Sequence, residues 1–298
     1  MKLLIVLNPI SGNIDKKSFI KKVKDTCKYY GISYKIFKTT GHDDLNQIIE
    51  TLKTFNPDRV ASIGGDGTTL LTALSILNTE IPMGIVPLGS ANGMAEELAI
   101  NSTPIEAFKD LLTTQITGKL DIIEVNNKHY SIHIGDVGLN AQIVANYEAD
   151  EQRGMITYAK YFFDSLKNTE PFSIEVHANG KTIKREIVMV AICNARKYGT
   201  GVPLNLHGSP MDGKFELVLI SNINVNSIIR AGLSKFDENF YANNNVEIIS
   251  TQQAQLQFEK ALKLQLDGEV IGSFKHLEIN ILEGAVNLLT TANNPYLK

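Results

Sequence analysis

Three glycine-bearing segments hold residue types that handle phosphate. Gly64-Gly65-Asp66-Gly67-Thr68-Thr69 lies between an apolar run, residues 59–63, and an apolar helical stretch reaching Leu77. Glycine lets the backbone turn sharply and come close to a ligand, and the start of the following helix offers unpaired N–H groups to an anion. The hydroxyls of Thr68 and Thr69 can add donors. Asp66 is the odd member, because a carboxylate beside phosphate is repulsive unless a cation lies between them. Its expected job is to organise Mg²⁺, or to position the loop or a ribose. Asn8-Pro9-Ile10-Ser11-Gly12 and Leu88-Gly89-Ser90-Ala91-Asn92-Gly93 have the same character and follow two other apolar runs. Neither GxGxxG after the first run nor GxxxxGK[ST] occurs, which disfavours a hydride-transfer Rossmann enzyme and a P-loop NTPase. Later in the chain, Asp267 and Glu269 flank Gly268. Such a pair can approach a hydroxyl and take its proton, although a β-turn is the commoner meaning of the segment alone.

Holding these loops together requires an open parallel sheet. Residues 2–7 read as a strand buried on both faces and ended by Asn8-Pro9. Ile20, Val23, Cys27 and Tyr30 fall at helical spacing, and Gly31 stops that helix. Residues 34–37 alternate as a strand, Leu45, Ile48, Ile49 and Leu52 form a helix face, and residues 59–63 and 83–86 are further strands. In a doubly wound arrangement all three loops then sit at the carboxyl ends of strands, where open α/β sheets bind ligands. A last helix is read with Thr103 as N-cap, Pro104 in the first turn, Glu106 completing a capping box, and Gly118 as its end. From about Leu120 short β-rich segments take over, at 122–125, 130–134, 173–177, 186–192, 215–220, 247–250 and 264–266. They predict a mainly antiparallel β-sandwich, interrupted by one helical stretch at 155–166. The domain boundary is read near Gly118.

The chain has 298 residues, of which 43% are hydrophobic and 20% charged, the range of an ordinary globule of about two domains. Lys+Arg 29 against Asp+Glu 32 leaves a net charge of -3, which argues against wholesale nucleic-acid binding. Cys27 and Cys193 lie far apart without a CxxC partner, so neither a disulfide framework nor a zinc site is expected. No apolar stretch approaches the ~20 residues of a bilayer span. The expectation is a soluble, cytoplasmic protein. Lys16, Lys17, Lys21, Lys22, Lys24 and Lys28 crowd the first helix. They could touch an anionic membrane, though a lysine face is more often merely solvated.

Taken together, Asn8-Pro9-x-Ser11-Gly12, Gly64 to Thr68 and Pro87 to Asn92 resemble the signature of the diacylglycerol kinase catalytic domain family. That family includes bacterial soluble diacylglycerol kinases, YegS-like lipid kinases and sphingosine kinases. Residues 39–43 resemble its threonine segment that reaches the nucleotide, and residues 136–141 its G-x-G-x-D-A stretch. Residues 194–213 resemble its N…YYGGG…DDG region and residues 266–269 its late D-G-E motif. The resemblance implies a doubly wound, NAD-kinase-like α/β domain, residues 1–118 completed by 285–298, that binds nucleotide. It also implies a lipid-binding β-sandwich domain, residues 119–284, and an active site in the cleft between the two.

The implied activity is transfer of the γ-phosphate of ATP to the hydroxyl of a lipid such as diacylglycerol. Asn8, Pro9, Ser11, Gly12, Thr40, Gly64, Gly65, Asp66, Gly67, Thr68, Thr69, Gly89, Ser90 and Asn92 would then hold the nucleotide. Asp66 would organise catalytic Mg²⁺, and either Asp267 or Glu269 would be the base. Bacterial members carry a structural Mg²⁺ at the DDG turn, which here gives Asp212, with Ser209 and Lys214 as carbonyl donors. Tyr158, Tyr161, Phe162 and Phe163 could cover an acyl chain, though an aromatic stripe is more often plain core. The expected partner is a lipid substrate at the inner membrane face, met by peripheral contact; no nucleic acid is expected, and a homodimer is compatible. The chain departs from the family pattern at Leu70-Leu71, Gly93, Leu206, Gly208 and Met211. NAD kinase, which also follows GGDGT with hydrophobic residues, is the main alternative reading, and a non-catalytic nucleotide or lipid sensor is another.

Overall fold

The computed structural model describes residues 1–12, 15–77, 79–138, 169–198, 202–205, 207–221 and 246–297. These divide into Met1–Asp121 with Glu283–Lys298 as one unit and Ile122–Leu282 as the other.

The first unit is built on β1 (Lys2–Leu7), whose residues Leu3 to Leu7 are all buried, so the strand has no polar face and must lie inside a sheet. It pairs in parallel with β2 (Ser33–Lys38) on one side and β3 (Arg59–Gly64) on the other. β4 (Met83–Pro87) adds in parallel beyond β3. Helices α1 (Lys16–Tyr29), α2 (Asp44–Phe55) and α3 (Asp66–Ser75) connect these strands, followed by α4 (Gly93–Glu97) and α5 (Pro104–Thr113). Phe19, Val23 and Cys27 of α1 and Phe108, Leu111 and Leu112 of α5 share a core with Leu3, Ile5 and Leu7. Burial raises the Cys27 thiol pKa to about 11, so this sulfur is a packing group and not a nucleophile. The chain's end returns to this unit. Leu288 lies beside Met83 in parallel, and the Tyr296 hydroxyl donates to the Glu97 carboxylate.

Two details of α5 differ from the sequence reading. Thr103 stands at the N-cap, but its hydroxyl makes no cap bond, and Glu106 pairs with Lys109 at 2.8 Å instead of reaching back. The helix stops at Thr113, and Gly118 lies within the next strand, β5 (Thr117–Val125). The Thr114 hydroxyl donates to the Thr290 carbonyl at 2.7 Å, a distant partner that local sequence does not reveal.

The second unit is mainly antiparallel. It holds the end of β5, β6 (His129–Ser131), β7 (Ile134–Val137), β8 (Phe172–Ala178), β9 (Lys181–Ile187), β10 (Met189–Cys193), the short β11 (Lys197–Tyr198) and β12 (Val202–Pro203), β13 (Phe215–Ile220), β14 (Val246–Thr251), β15 (Gln253–Leu266) and the start of β16 (Glu269–Leu289). The strand order runs β14-β13-β10-β7-β15-β16. β15 changes partner along its length, pairing with β8 at residues 254–258 and with β7 at 264–266. Its register with β16 slips between Gln257 and Leu262, the irregularity that lets one strand serve both layers of a sandwich. Ala254, Leu256 and Phe258 enter the core while Gln253, Gln255 and Gln257 face out.

The segment 186–192, read as one strand, is two, because Val188 leaves the ladder and donates its N–H to the Ile220 carbonyl at 2.8 Å. The expected helix at 155–166 with its aromatic residues, the end of the 136–141 stretch, and Leu206 lie outside the described residues. Phe108 has no exposed surface, so Phe108→Ala should cost about 3–5 kcal/mol of stability in urea unfolding, with little change in the slope.

Candidate active site

The three glycine loops of the first unit are locked together by their backbones. Asn8 donates its N–H to the Ile63 carbonyl at 3.0 Å, and Leu88 donates to the Gly64 carbonyl at 2.8 Å. A Cβ on Gly12, whose φ is +58°, would meet the Leu88 carbonyl oxygen at 2.3 Å. One on Gly89 would meet the Gly65 Cα at 2.5 Å. Main chain therefore touches main chain at positions where no side chain fits, and the loop amides are brought to one edge of the sheet. Asn92 closes its own loop, since Oδ1 accepts from the Gly89 N–H and Nδ2 donates to the Gly89 carbonyl, both at 2.8 Å. In the first loop the Ser11 hydroxyl donates to the Asn8 carbonyl and Asn8 Oδ1 accepts from the Ile10 N–H. Pro9 and Ser90 are exposed at the rim.

Asp66 ties the second loop to the third. Its Oδ2 accepts from the Gly93 N–H at 2.8 Å and its Oδ1 from the Met94 N–H at 3.0 Å, so it satisfies the first amides of α4. The threonine hydroxyls do not face outward as expected. Thr69 Oγ1 donates to the Gly65 carbonyl at 3.2 Å, and Thr68 is buried against Gly64, where a Cβ would lie 2.3 Å from Thr68 Oγ1. The groups this loop leaves for a ligand are first-turn N–H groups of α3 around the exposed Gly67.

Two residues that sequence reasoning passed over complete this edge. Asp44 accepts from the Thr40 N–H at 2.9 Å, the Thr40 hydroxyl at 3.0 Å and the Gly41 N–H at 2.8 Å, which fixes the turn carrying Thr40. Burial pushes its pKa up, but these hydrogen bonds outweigh burial and leave it below the ordinary carboxylate value. Lys16 donates its ammonium to the Ser11 carbonyl, and burial lowers its pKa. It was grouped with the other lysines of α1. Its spacing of three and four from Phe19 and Ile20 was the signal that it lies on the inner side of the helix.

In the second unit, the Asp267/Glu269 pair separates into unlike roles. Asp267, at φ 49°, heads the turn between β15 and β16. Its carboxylate accepts from the Ser131 hydroxyl at 2.6 Å and from the N–H groups of Ile132, His133 and Ile134 at 2.9, 3.1 and 3.2 Å. A carboxylate offers about four lone-pair sites, and four donors occupy them. Glu269 is exposed, and its carboxylate has no hydrogen-bond partner among the described residues.

Residues 2–125 match the family model for the diacylglycerol kinase catalytic domain, and residues 135–290 match that for the YegS C-terminal NAD kinase beta sandwich-like domain. The chain belongs to the diacylglycerol kinase catalytic domain family. It is 22% identical over 281 residues to the diacylglycerol kinase of Bacillus subtilis, covering 93% of this chain and 92% of that one. It is 28% identical over 235 residues to a Staphylococcus carnosus protein provisionally named a lipid kinase, covering 76% and 75%. A Bacillus anthracis crystal structure provisionally described as a diacylglycerol kinase shares the fold, with a TM-score of 0.81 at 18% identity over 98% of this chain and 97% of that one.

The metal turn expected from the family can be tested on the residues present. Asp212 is exposed, and its Oδ1 accepts from the Lys214 N–H at 3.1 Å, an Asx-type turn. No cluster of three or more His, Cys, Asp or Glu side chains occurs among the described residues. The donor set therefore fits a hard cation held by one carboxylate, with the Ser209 and Lys214 carbonyls and water making up the rest. Glu216, two residues beyond Lys214, is committed elsewhere: Oε2 accepts from Asn205 at 2.6 Å and Oε1 from Ser250 at 2.8 Å.

Asp44 generates a pH-dependent prediction. A carboxylate with a folded pKa below its unfolded value of ~3.9 stabilises the fold above that value and loses the contribution as pH falls through the folded value. Asp44→Asn should cost about 1–3 kcal/mol at pH 7 in denaturant titrations, and the gap from wild type should shrink below pH ~4.

Proposed function

We propose that this protein is a lipid kinase that transfers the γ-phosphate of ATP to the hydroxyl of a diacylglycerol-type lipid, working at the cytoplasmic face of a membrane. The observation that carries the reading is the interlocked glycine-loop edge, in a chain whose two halves both match lipid-kinase family models. Phosphoryl transfer to an alcohol asks for a phosphate cradle, positive charge and a proton acceptor. Amides of the Gly12, Gly65–Gly67 and Gly89 loops, with the first turn of α3, supply the cradle. Lys16, held at the first loop by the Ser11 carbonyl, supplies a positive charge. Mg²⁺ carried with the nucleotide would neutralise the transferring phosphate. Asp66 suits that ion through lone pairs left on oxygens that each accept one N–H bond.

For the proton acceptor we favour Glu269. Its carboxylate is exposed and uncommitted, whereas Asp267 has spent its lone pairs on the 131–134 segment. Asp267 then acts as a positioning residue that sets the turn presenting Glu269. The rival reading, NAD kinase, draws on the sandwich model's description and on Thr69-Leu70-Leu71.

Three measurements test the assignment. Gly65→Val should abolish ATP binding in calorimetry and leave circular dichroism unchanged, because its Cβ would press on Gly89 Cα at 3.3 Å. Glu269→Gln should lower turnover on micellar diacylglycerol by roughly a hundred- to ten-thousand-fold at nearly constant ATP affinity. Retention of more than about a tenth of turnover would remove Glu269 as the base. Finally, ATP and purified protein should yield phosphorylated lipid faster than NADP from NAD; the reverse order would establish the rival.

A further inference from the structure

We propose that the outer face of α1 is a docking surface for an anionic lipid bilayer. The choice of occupant rests on the lipid-kinase reading, while the observations that define the surface are independent of it. Lys17, Lys21, Lys24 and Lys28 recur at steps of four, three and four residues. At 3.6 residues per turn they fall within an arc of about 60° and along about 16 Å of helix. All four are exposed, and Phe19, Val23 and Cys27 hold the inner face in the core.

Nothing in the described fold accounts for this stripe. Like charges three and four residues apart disfavour a helix. None of the four lysines takes part in an ion pair among the described residues, where the other exposed ion pairs join Lys53 to Glu50, Lys109 to Glu106 and Lys184 to Glu175. Asp25 is the sole acidic residue within α1. The chain as a whole carries -3, so the stripe is a local concentration against the overall balance.

A second feature adjoins it. Tyr29, beside Lys28, is 84% exposed and meets Tyr30 edge to face at 5.1 Å between ring centroids. Tyrosine has an apolar body and a polar tip, the chemistry that settles at the headgroup level of a bilayer. A row of ammonium groups ending in exposed tyrosines complements an anionic leaflet in charge and in polarity. A nucleic acid would share the charge, but the acidic remainder of the chain offers no wider basic field for one.

Each lysine near an anionic leaflet strengthens partitioning by about fivefold, and the attraction fades within a Debye length of about 10 Å at 0.1 M salt. The test is co-sedimentation of the full chain with vesicles of phosphatidylglycerol and phosphatidylcholine, and with phosphatidylcholine alone. Wild type should bind the anionic vesicles, and 1 M salt should release it. K17E/K21E/K24E should weaken binding on the order of a hundredfold, with K17Q/K21Q/K24Q as a milder companion and circular dichroism checking both. K128E/K260E/K263E makes the same change in net charge elsewhere and should bind as wild type does.

Equal losses from both charge-reversal sets, or vesicle binding unchanged in the α1 variants, would overturn the proposal. Stripe-dependent retention of single-stranded RNA without vesicle binding would also overturn it. Lipid phosphorylation in neutral detergent micelles separates the two readings. Intact micellar activity with stripe-independent vesicle binding removes the docking surface and leaves the kinase. Stripe-dependent vesicle binding without any lipid product removes the kinase and leaves the docking surface.

Discussion

The first unit depends on a contact that has no side chains in it. The Gly12, Gly65 and Gly89 loops approach one another so closely that a single Cβ at Gly12 or Gly89 would overlap neighbouring backbone. Strand ends in a parallel sheet are about 4.8 Å apart, so loops leaving adjacent strands converge only when nothing projects between them. The hydrogen bonds from Asn8 to Ile63 and from Leu88 to Gly64 then hold the ends of β1, β3 and β4 in step. Everything else at this edge, from the first turn of α3 to the closure of the Asn92 loop, is arranged around that contact.

Carboxylates do the fastening. Asp44 binds the Thr40 turn, Asp66 binds the start of α4, and Asp267 binds the 131–134 segment. Each is an acid that sequence logic would assign to chemistry or leave aside, and each accepts backbone N–H groups from a neighbouring loop. A carboxylate is suited to the task because it takes several donors at once, and a charged acceptor makes each bond stronger than a neutral one would. The arrangement also resolves the puzzle of an acid beside a phosphate loop: the amides of Gly93 and Met94 already stabilise the Asp66 charge.

In the second unit the comparable constraint lies in β15. One strand pairs with β8 and then with β7, and the turn after it carries Asp267 and Glu269. Because the slip in register lies between those pairings, residues 264–266 sit on β7 and the turn arrives against the 131–134 segment that binds Asp267. A β-sandwich thereby places a rigid acid and an exposed one two residues apart.

The parallel strands were legible in the sequence because a strand buried on both faces is apolar throughout, as Leu3 to Leu7 are. The three loops were legible because glycines at strand ends have few other uses. β15 was read only at its last three residues, since its alternation of Ala254, Leu256 and Phe258 with glutamines is interrupted by the slip at Gln257. The expected Thr103–Glu106 capping box gave way to a Glu106–Lys109 pair, because both partners of that pair are also local and a helix surface allows either. What the sequence by itself determined was the order of elements, the burial of their faces and the residue types at the loops, all local properties of side-chain period and backbone freedom. Which acid would act as a fastener and which would stay exposed was decided only by tertiary structure. The donors that occupy Asp66 lie 27 and 28 residues away, and those that occupy Asp267 lie 133 to 136 residues away, brought into reach by strand pairing.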